Sequence, residues 1–375
     1  MPNSADTLLI HSLSQLTLNP AQADDVVRHL NSLSQQEREH FESVADSNHV
    51  VVRALQAVLA KLDVGVAGGE ESPLKPKDGL NGAPDLAVWA QEVIAKQEQR
   101  IQNALPILHR ICEELENAGC PVTVMKSLDH WPDLGNDLDL YTTGDEKCVG
   151  QVMVNRMGAH TDPRSWGDRL ANKWNFCIPG LPELIEVHAQ RLGQTGEQTQ
   201  MARRFVSRRV PKTLGGFTFL VPAPEERVLV ATLQRMYRHF YFRVCDIVNT
   251  ASLLDANEVD FSELRRAAEL GGIWHGVATY LKIVCDYVKT YRGSAPQLPQ
   301  EVLRAAQFGG ETVYVGGRFI RIPVVPNGAK LYTRQVTNAA LRGDVPATLR
   351  LSLLPPLASA AAVAYKITGS DKGVW

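Results

Sequence analysis

The sequence has no paired cysteines, no long apolar run and no secretory leader pattern. Its six cysteines are scattered through 375 residues, and none has the Cys-x-x-Cys spacing of zinc and redox sites. No uninterrupted apolar stretch reaches the roughly 20 residues that a membrane-spanning helix needs. The first residues lack the basic patch and apolar segment of a secretory signal. We therefore expect reduced core thiols, no membrane partner and a cytoplasmic location.

The chain also has little net charge. Its formal charge of −2 argues against attraction of nucleic acid by the protein as a whole, and we predict no DNA binding. One local basic run contains Arg203, Arg204, Arg208, Arg209 and Lys212. It is suited either to contact with a triphosphate or RNA, or to a solvated face. We favour the solvated face, because the aromatic residues of a base-stacking platform are sparse there.

The length and the hydrophobic content of 44% allow a substantial core and two or three domains. Residues 1–83 read as an N-terminal helical region ending in a linker rich in Gly, Pro and charged residues. Residues 84–222 open with a long helix over Leu86–Asn117 and continue as short strands. Residues 223–375 are mainly helical, with Pro224 as a helix start and one helix expected through Leu254. The fold class predicted is α/β of the α+β type, with a small mixed sheet between helical regions.

The most informative stretch is Lys126-Ser127 followed by Asp137-Leu138-Asp139-Leu140. The apolar, β-branched segment Pro121–Met125 predicts a strand that delivers Lys126 and Ser127 at its carboxyl end, where ligands usually bind. Side chains alternate along a strand, so Asp137 and Asp139 are expected on one face. An isolated Asp-x-Asp arises by chance about once in a chain of this length, so the pair needs support from its context.

That support comes from a third carboxylate in Leu184–His188. Apolar Ile185 and Val187 alternate with Glu186 and His188, which predicts a strand that pairs beside the first two. An acidic side chain inside a buried strand is costly unless it is partnered or binds a metal, and the alternative is an exposed strand face. We interpret His188 as a hydrogen-bonded support for the acidic strand in preference to a ligand, because Mg2+ prefers oxygen donors.

Together these motifs resemble the uncharacterised bacterial nucleotidyltransferase family of the polymerase-beta-like superfamily. The resemblance rests on Lys126-Ser127, nine intervening residues, the Asp137–Leu140 motif, Glu186-Val187-His188 and Arg243–Ile247, and it spans Leu105–Leu254. It implies a transferase that moves a nucleoside monophosphate from a nucleoside triphosphate such as ATP to an acceptor hydroxyl. The cofactor implied is Mg2+, and the product is pyrophosphate. The acceptor is left open between a protein hydroxyl, an RNA end and a small molecule.

The resemblance also implies a role for each matching residue. Asp137, Asp139 and Glu186 hold the metal and are catalytic, and Glu186 helps to activate the acceptor. The turn at Lys126 and Ser127 cradles the triphosphate. The chain departs from the pattern in two places, because the glycine beside Ser127 is replaced by Lys126 and no arginine precedes Asp137. A catalytically weakened nucleotide-binding or scaffold protein on the same fold is therefore the alternative.

Three further residues are candidates for nucleotide binding. Lys173 precedes a predicted strand over Asn175–Ile178 and either reaches a phosphate or is solvated, which we favour because most lysines are exposed. His239 and Arg243 belong to a polar stripe on the predicted helix that also carries Arg235, Arg238 and Asp246. This stripe either closes over the nucleotide or consists of surface charge pairs such as Arg243 with Asp246.

Overall fold

The structure is a computed structural model that describes residues 4–62 and 84–368. It has the expected α+β class, with a mixed five-stranded sheet between helical N-terminal and C-terminal regions. The N-terminal helices are α1 (Ser4–Leu18), α2 (Asp24–Ser32), α3 (Gln35–Ser47), α4 (Val51–Lys61) and the long α5 (Pro84–Asn117). The linker predicted at the end of the 1–83 region lies outside the described residues.

Hydrogen bonds to side chains stabilise the first turns of α3 and α4. Ser34 and Glu37 form a reciprocal capping box at the start of α3. The start of α4 lacks a cap of its own and receives a distant one, because the Asp133 carboxylate accepts hydrogen bonds from the backbone N–H groups of Val52 (2.7 Å) and Arg53 (3.3 Å). This contact ties the N-terminal helices to the segment that precedes the acidic pair.

The central sheet contains strands β1 (Val122–Val124), β2 (Asp137–Thr142), β3 (His160–Thr161), β4 (Lys173–Cys177) and β5 (Leu184–Ala189), in the order β1-β2-β5-β4-β3. Strands β2 and β5 run parallel, and the other neighbours run antiparallel. Between the strands lie helices α6 (Glu146–Gln151), which continues into a wide turn over Val152–Arg156, and α7 (Trp166–Ala171). The strand predicted to carry Glu186 therefore pairs directly with the strand that carries Asp139.

One face of β2 and β5 is apolar, as their alternating pattern predicts. Leu138, Leu140, Ile185 and Val187 are fully buried in a core that includes side chains of α5. The opposite face of the same strands carries Asp139, Glu186 and His188. Burial of the apolar face fixes the register, because a shift of one residue would exchange the two faces.

After the sheet come α8 (Gln200–Ser207) and a hairpin of β6 (Arg209–Leu214) and β7 (Phe217–Pro222). The C-terminal helices are α9 (Pro224–Gln234), α10 (Val244–Asp255), α11 (Phe261–Gly271), α12 (Trp274–Arg292), α13 (Gln300–Ala305), α14 (Ala329–Leu341), α15 (Val345–Ser352) and α16 (Leu354–Thr368). A small sheet combines β8 (Tyr241–Phe242), β9 (Tyr314–Gly316) and β10 (Phe319–Arg321). Within the described ranges, every helix is too short or too polar to cross a membrane.

Helices α1–α4 and the first part of α5 share one hydrophobic core with α9–α12. Leu13 of α1 and Phe41 of α3 belong to the same buried cluster as Val244 of α10 and Tyr280 of α12. The two helical regions, which are separated by the whole sheet in sequence, thus bury their apolar faces against each other.

The prediction of one helix through Leu254 is wrong. Helix α9 ends in a wide turn over Arg235–His239, and Phe240 takes a left-handed conformation with φ of 53°. The chain then forms β8, which pairs with β10, before α10 begins. Pairing with a strand about 80 residues away replaces the helical hydrogen bonds here, and local sequence gives no sign of such a partner.

Candidate active site

The structure brings two of the three predicted carboxylates side by side. Asp139 of β2 lies directly opposite Glu186 of β5 in the parallel register. Ligand atoms of Asp139, Glu186 and His188 all lie within 4.8 Å of one another, and the three side chains are buried. Asp137 lies on the same face at the exposed start of β2, and its pKa is raised by desolvation and by the negative charge of Glu186. The site therefore has a buried group of three side chains with Asp137 at its edge.

Two lysines neutralise these carboxylates. The Nζ atom of Lys126 lies 2.9 Å from Oδ1 of Asp139. The Nζ atom of Lys173 lies 2.9 Å from Oε2 of Glu186 and 3.1 Å from Oδ1 of Asp168. The interpretation of Lys173 as a solvated residue is wrong, because only 8% of the residue is exposed. It is drawn inward because β4 places it beside the Glu186 strand, where burial without a counter-charge would be costly.

The carboxylates differ in their affinity for protons. Burial raises the pKa of Asp139 to about 7, the charge of Glu186 adds to the shift, and Lys126 opposes it. Burial also opposes ionisation of Glu186, but the hydrogen bond from His188 and the charge of Lys173 hold its pKa well below the usual range. For Lys173, burial favours the neutral form, yet Glu186 and Asp168 raise its pKa. The site thus keeps an ionised Glu186 paired with a charged lysine.

His188 donates a hydrogen bond to Glu186 through one ring nitrogen, and its other ring nitrogen has no partner among the described residues. Burial lowers the pKa of His188, so its ring is neutral at neutral pH. Because a carboxylate accepts hydrogen bonds, Nε2–H of His188 is the donor to Oε1 of Glu186, at 2.8 Å. The other nitrogen, Nδ1, is buried and has no hydrogen-bond partner in the described part of the chain. The predicted hydrogen bond between His188 and the acidic strand is confirmed.

Ser127 holds β2 through backbone hydrogen bonds. Its Oγ accepts from the N–H of Asp139 (2.8 Å) and donates to the carbonyl of Asp137 (3.2 Å), and the residue is buried. Its hydroxyl is thus committed to the strand that carries the acidic pair. Lys126 beside it has φ of 23°, on the left-handed side where glycine is favoured and an L side chain is strained. The chain makes the turn that the resemblance assigns to glycine, but makes it with lysine.

The break at Phe240 divides the residues of the predicted polar stripe between the end of α9 and the start of α10. Burial and the positive charges of Arg238 and Arg235 lower the pKa of His239 to about 2, so this ring is neutral. The guanidinium of Arg243 contacts Nε2 of His49, and its charge offsets part of the rise in the pKa of Asp137. Of these residues, Arg243 acts on Asp137, and Arg238 lines the cavity that also contains Asp139.

Asp246 serves the structure of this region. Its Oδ2 atom accepts from the backbone N–H of Arg243 at 2.7 Å and lies 2.6 Å from Nε of Arg235, and both side chains are buried. The predicted side-chain pair of Arg243 with Asp246 is replaced by this cap and by the Arg235 ion pair. The difference arises because Arg243 is the N-cap residue of α10 and lies outside the helix, so its side chain and that of Asp246 do not share a helical face.

A cavity opens beside Asp139. Its polar lining includes Lys126, Asp139, His188, Gln234 and Arg238. A smaller neighbouring cavity is lined by Asp168, Lys173 and again Arg238. Sequence reasoning did not assign a site role to Arg238 or Asp168. In the sequence, Arg238 was identified only as one residue of the polar stripe. The signal for Asp168 was the Ser165-x-x-Asp168 spacing, which forms a capping box at the start of α7.

The basic run of residues 203–212 packs within the protein. Arg204 and Arg208 form ion pairs with the buried carboxylates of Glu226 and Glu263. Arg209 pairs with Glu116, and Nζ of Lys212 donates to the Leu128 carbonyl at 2.7 Å. The predicted solvated face is wrong for these four residues, because partners from distant elements meet them: carboxylates for the three arginines and a backbone carbonyl for Lys212. Arg203 is exposed as expected.

No protein-family model matches this chain, and no curated protein matches it. The resemblance to nucleotidyltransferases therefore stays a prediction that rests on the motifs and on the geometry of the site.

Proposed function

We propose that this protein is a metal-dependent nucleotidyltransferase. The observation that supports the proposal best is the pairing of Asp139 with Glu186 on parallel strands, beside a cavity whose lining includes Asp139, Lys126 and Arg238. In the proposed reaction, an acceptor hydroxyl oxygen forms a bond to the α-phosphorus of a nucleoside triphosphate. The bond to the β-phosphate oxygen breaks, pyrophosphate leaves, and the acceptor proton passes to a carboxylate or to water.

The donor set fits a divalent cation such as Mg2+. Asp139 and Glu186 offer carboxylate oxygens within reach of one another, and Asp137 offers a third carboxylate at the edge. A divalent cation bound here would supply neutralisation of phosphate charge and polarisation of the acceptor hydroxyl. Glu186 is the best permanent anion of the group, because its pKa lies well below the usual range.

The basic side chains account for binding of a triphosphate. Lys126 and Lys173 lie at the two carboxylates, and Arg238 lines both cavities above them. Charge-assisted hydrogen bonds from such groups orient phosphates and stabilise negative charge that moves during transfer. A nucleotide that brings its phosphates to this cavity also gives Lys126 and Lys173 alternative partners, which releases the carboxylates for the metal.

The test is Asp139→Asn and Glu186→Gln, assayed with labelled nucleoside triphosphates, divalent metal and cell extract. We expect pyrophosphate release and label transfer to fall by roughly a hundredfold or more, because each change removes a metal ligand and its charge. The matched control is Asp255→Asn, since Asp255 is an exposed carboxylate of α10 paired with Arg292. Undiminished metal-dependent turnover in Asp139→Asn would rule out the proposal.

A second candidate is a catalytically weakened nucleotide-binding or scaffold protein. It is favoured by the committed hydroxyl of Ser127 and by the lysine at the strained turn position. Such a protein would bind a nucleoside triphosphate and be stabilised by it, yet release no pyrophosphate above the level of Asp139→Asn. Thermal unfolding with and without nucleotide, measured beside the transfer assay, separates the two candidates.

A further inference from the structure

The buried group of Asp139, Glu186 and His188 combines two carboxylates with an imidazole. Their ligand atoms are mutually within 4.8 Å, which is close enough for one cation to meet all three after small side-chain adjustments. Magnesium takes oxygen donors and keeps several waters, whereas imidazole is a ligand of first-row transition cations. The composition of the group therefore differs from an all-carboxylate magnesium site.

The position of the His188 ring also fits a cation shared with Glu186. Nε2 of His188 lies 2.8 Å from Oε1 of Glu186, so a cation that replaced the shared proton would contact both atoms. Nδ1 is buried without a hydrogen-bond partner among the described residues, so it is free to carry the ring proton when Nε2 binds the cation. His188 also lines the same cavity as Asp139.

We propose that Asp139, Glu186 and His188 form a mixed nitrogen and oxygen site that selects a first-row transition cation, of the Mn2+ and Zn2+ class, over Mg2+. The site shares its carboxylates with the proposed transferase, but the inference does not require that reaction. Binding of the metal alone tests it, so that failure of transfer and failure of metal selection are distinguishable.

Lys126 acts against the metal in this arrangement. Its ammonium lies 2.9 Å from Oδ1 of Asp139 and must give way when a cation binds. Removing this positive charge with Lys126→Met is expected to tighten transition-metal binding several-fold, because like charges repel across a partly buried site. Removing the imidazole with His188→Gln is expected to weaken it. A nonspecific surface site would respond to neither change.

The experiment is calorimetric titration of the protein with Mn2+, Zn2+ and Mg2+. All variants carry Cys177→Ser, because the Cys177 thiol is exposed and thiols bind Zn2+. We expect His188→Gln to weaken Mn2+ and Zn2+ binding by roughly tenfold or more while Mg2+ binding changes little. The matched control is His160→Gln, an exposed histidine on β3 of the same sheet.

Several outcomes overturn the inference. Many oxygen sites prefer transition cations to Mg2+, so unchanged selectivity in His188→Gln would contradict it even if Mn2+ binds tightly. Retained Zn2+ binding in Asp139→Asn would place the metal elsewhere. A measurement on the unsubstituted protein avoids any folding defect of the variants. Pulsed electron paramagnetic resonance of bound Mn2+ should show coupling to an imidazole nitrogen, and its absence would refute the role of His188.

Discussion

At the scale of single residues, Lys126 shows how one position serves two opposed requirements. Its φ of 23° strains the backbone, while its ammonium neutralises the buried carboxylate of Asp139. Lys126→Gly and Lys126→Ala both remove the charge, but only glycine relieves the strain. We expect the glycine variant to exceed the alanine variant in free energy of unfolding by about 1 kcal/mol. Chemical denaturation of the pair measures this, and equal stabilities would show that the turn is unstrained.

Asp133 gives a residue-scale prediction for pH. Burial raises its pKa from 3.8 to about 6, against the opposing hydrogen bonds from the backbone of Val52 and Arg53. The folded state therefore binds the proton more tightly than the unfolded state. The resulting stabilisation is complete below about pH 4 and is lost as the pH rises through 6.

The matched variant is Asp133→Asn, which keeps an acceptor for the start of α4 but cannot titrate. Between pH 4 and 7, we expect the free energy of unfolding of the natural protein to fall relative to that of the variant by roughly 2–3 kcal/mol. Denaturant titrations at a series of pH values measure the difference. Parallel pH profiles for the two proteins would contradict the assignment.

At the scale of elements, Ser127 fixes the strand that carries the acidic pair. Ser127→Ala leaves the buried N–H of Asp139 without its acceptor, so we expect a loss of roughly 1–3 kcal/mol in free energy of unfolding. The control is Ser207→Ala, which alters an exposed serine at the end of α8. If the two substitutions cost the same, Ser127 does not hold β2 in place.

The sequence was a good guide to elements that local pattern determines. Alternation predicted β2 and β5 and the face on which Asp139, Glu186 and His188 lie. It did not predict the break at Phe240, because β8 exists only through its pairing with β10. It likewise missed Lys173 as an ion-pair partner of Glu186, since the partner is supplied by the neighbouring strand. Local sequence pattern does not identify which strands or side chains, distant in sequence, will pair with a given residue.

At the scale of the whole molecule, the two helical regions depend on each other. The cluster that joins Leu13 and Phe41 to Val244 and Tyr280 would be opened by removal of the N-terminal helices. We expect the fragment 84–375 to bind a hydrophobic dye and aggregate, and the full chain to unfold these regions in one calorimetric transition. A soluble, cooperatively folded fragment would instead show that the N-terminal region is a separate domain.

The parallel pairing of β2 with β5 has a consequence for how the protein is made. Strand β5 lies between β2 and β4, so the centre of the sheet stays open until the chain up to Ala189 has been synthesised and inserted. Until that insertion, Asp139 lacks Glu186 as a neighbour and remains an ordinary solvated carboxyl group. The mutual repulsion of the two acids thus arises only once β5 has been inserted beside β2, and in the folded protein Lys126 and Lys173 offset it.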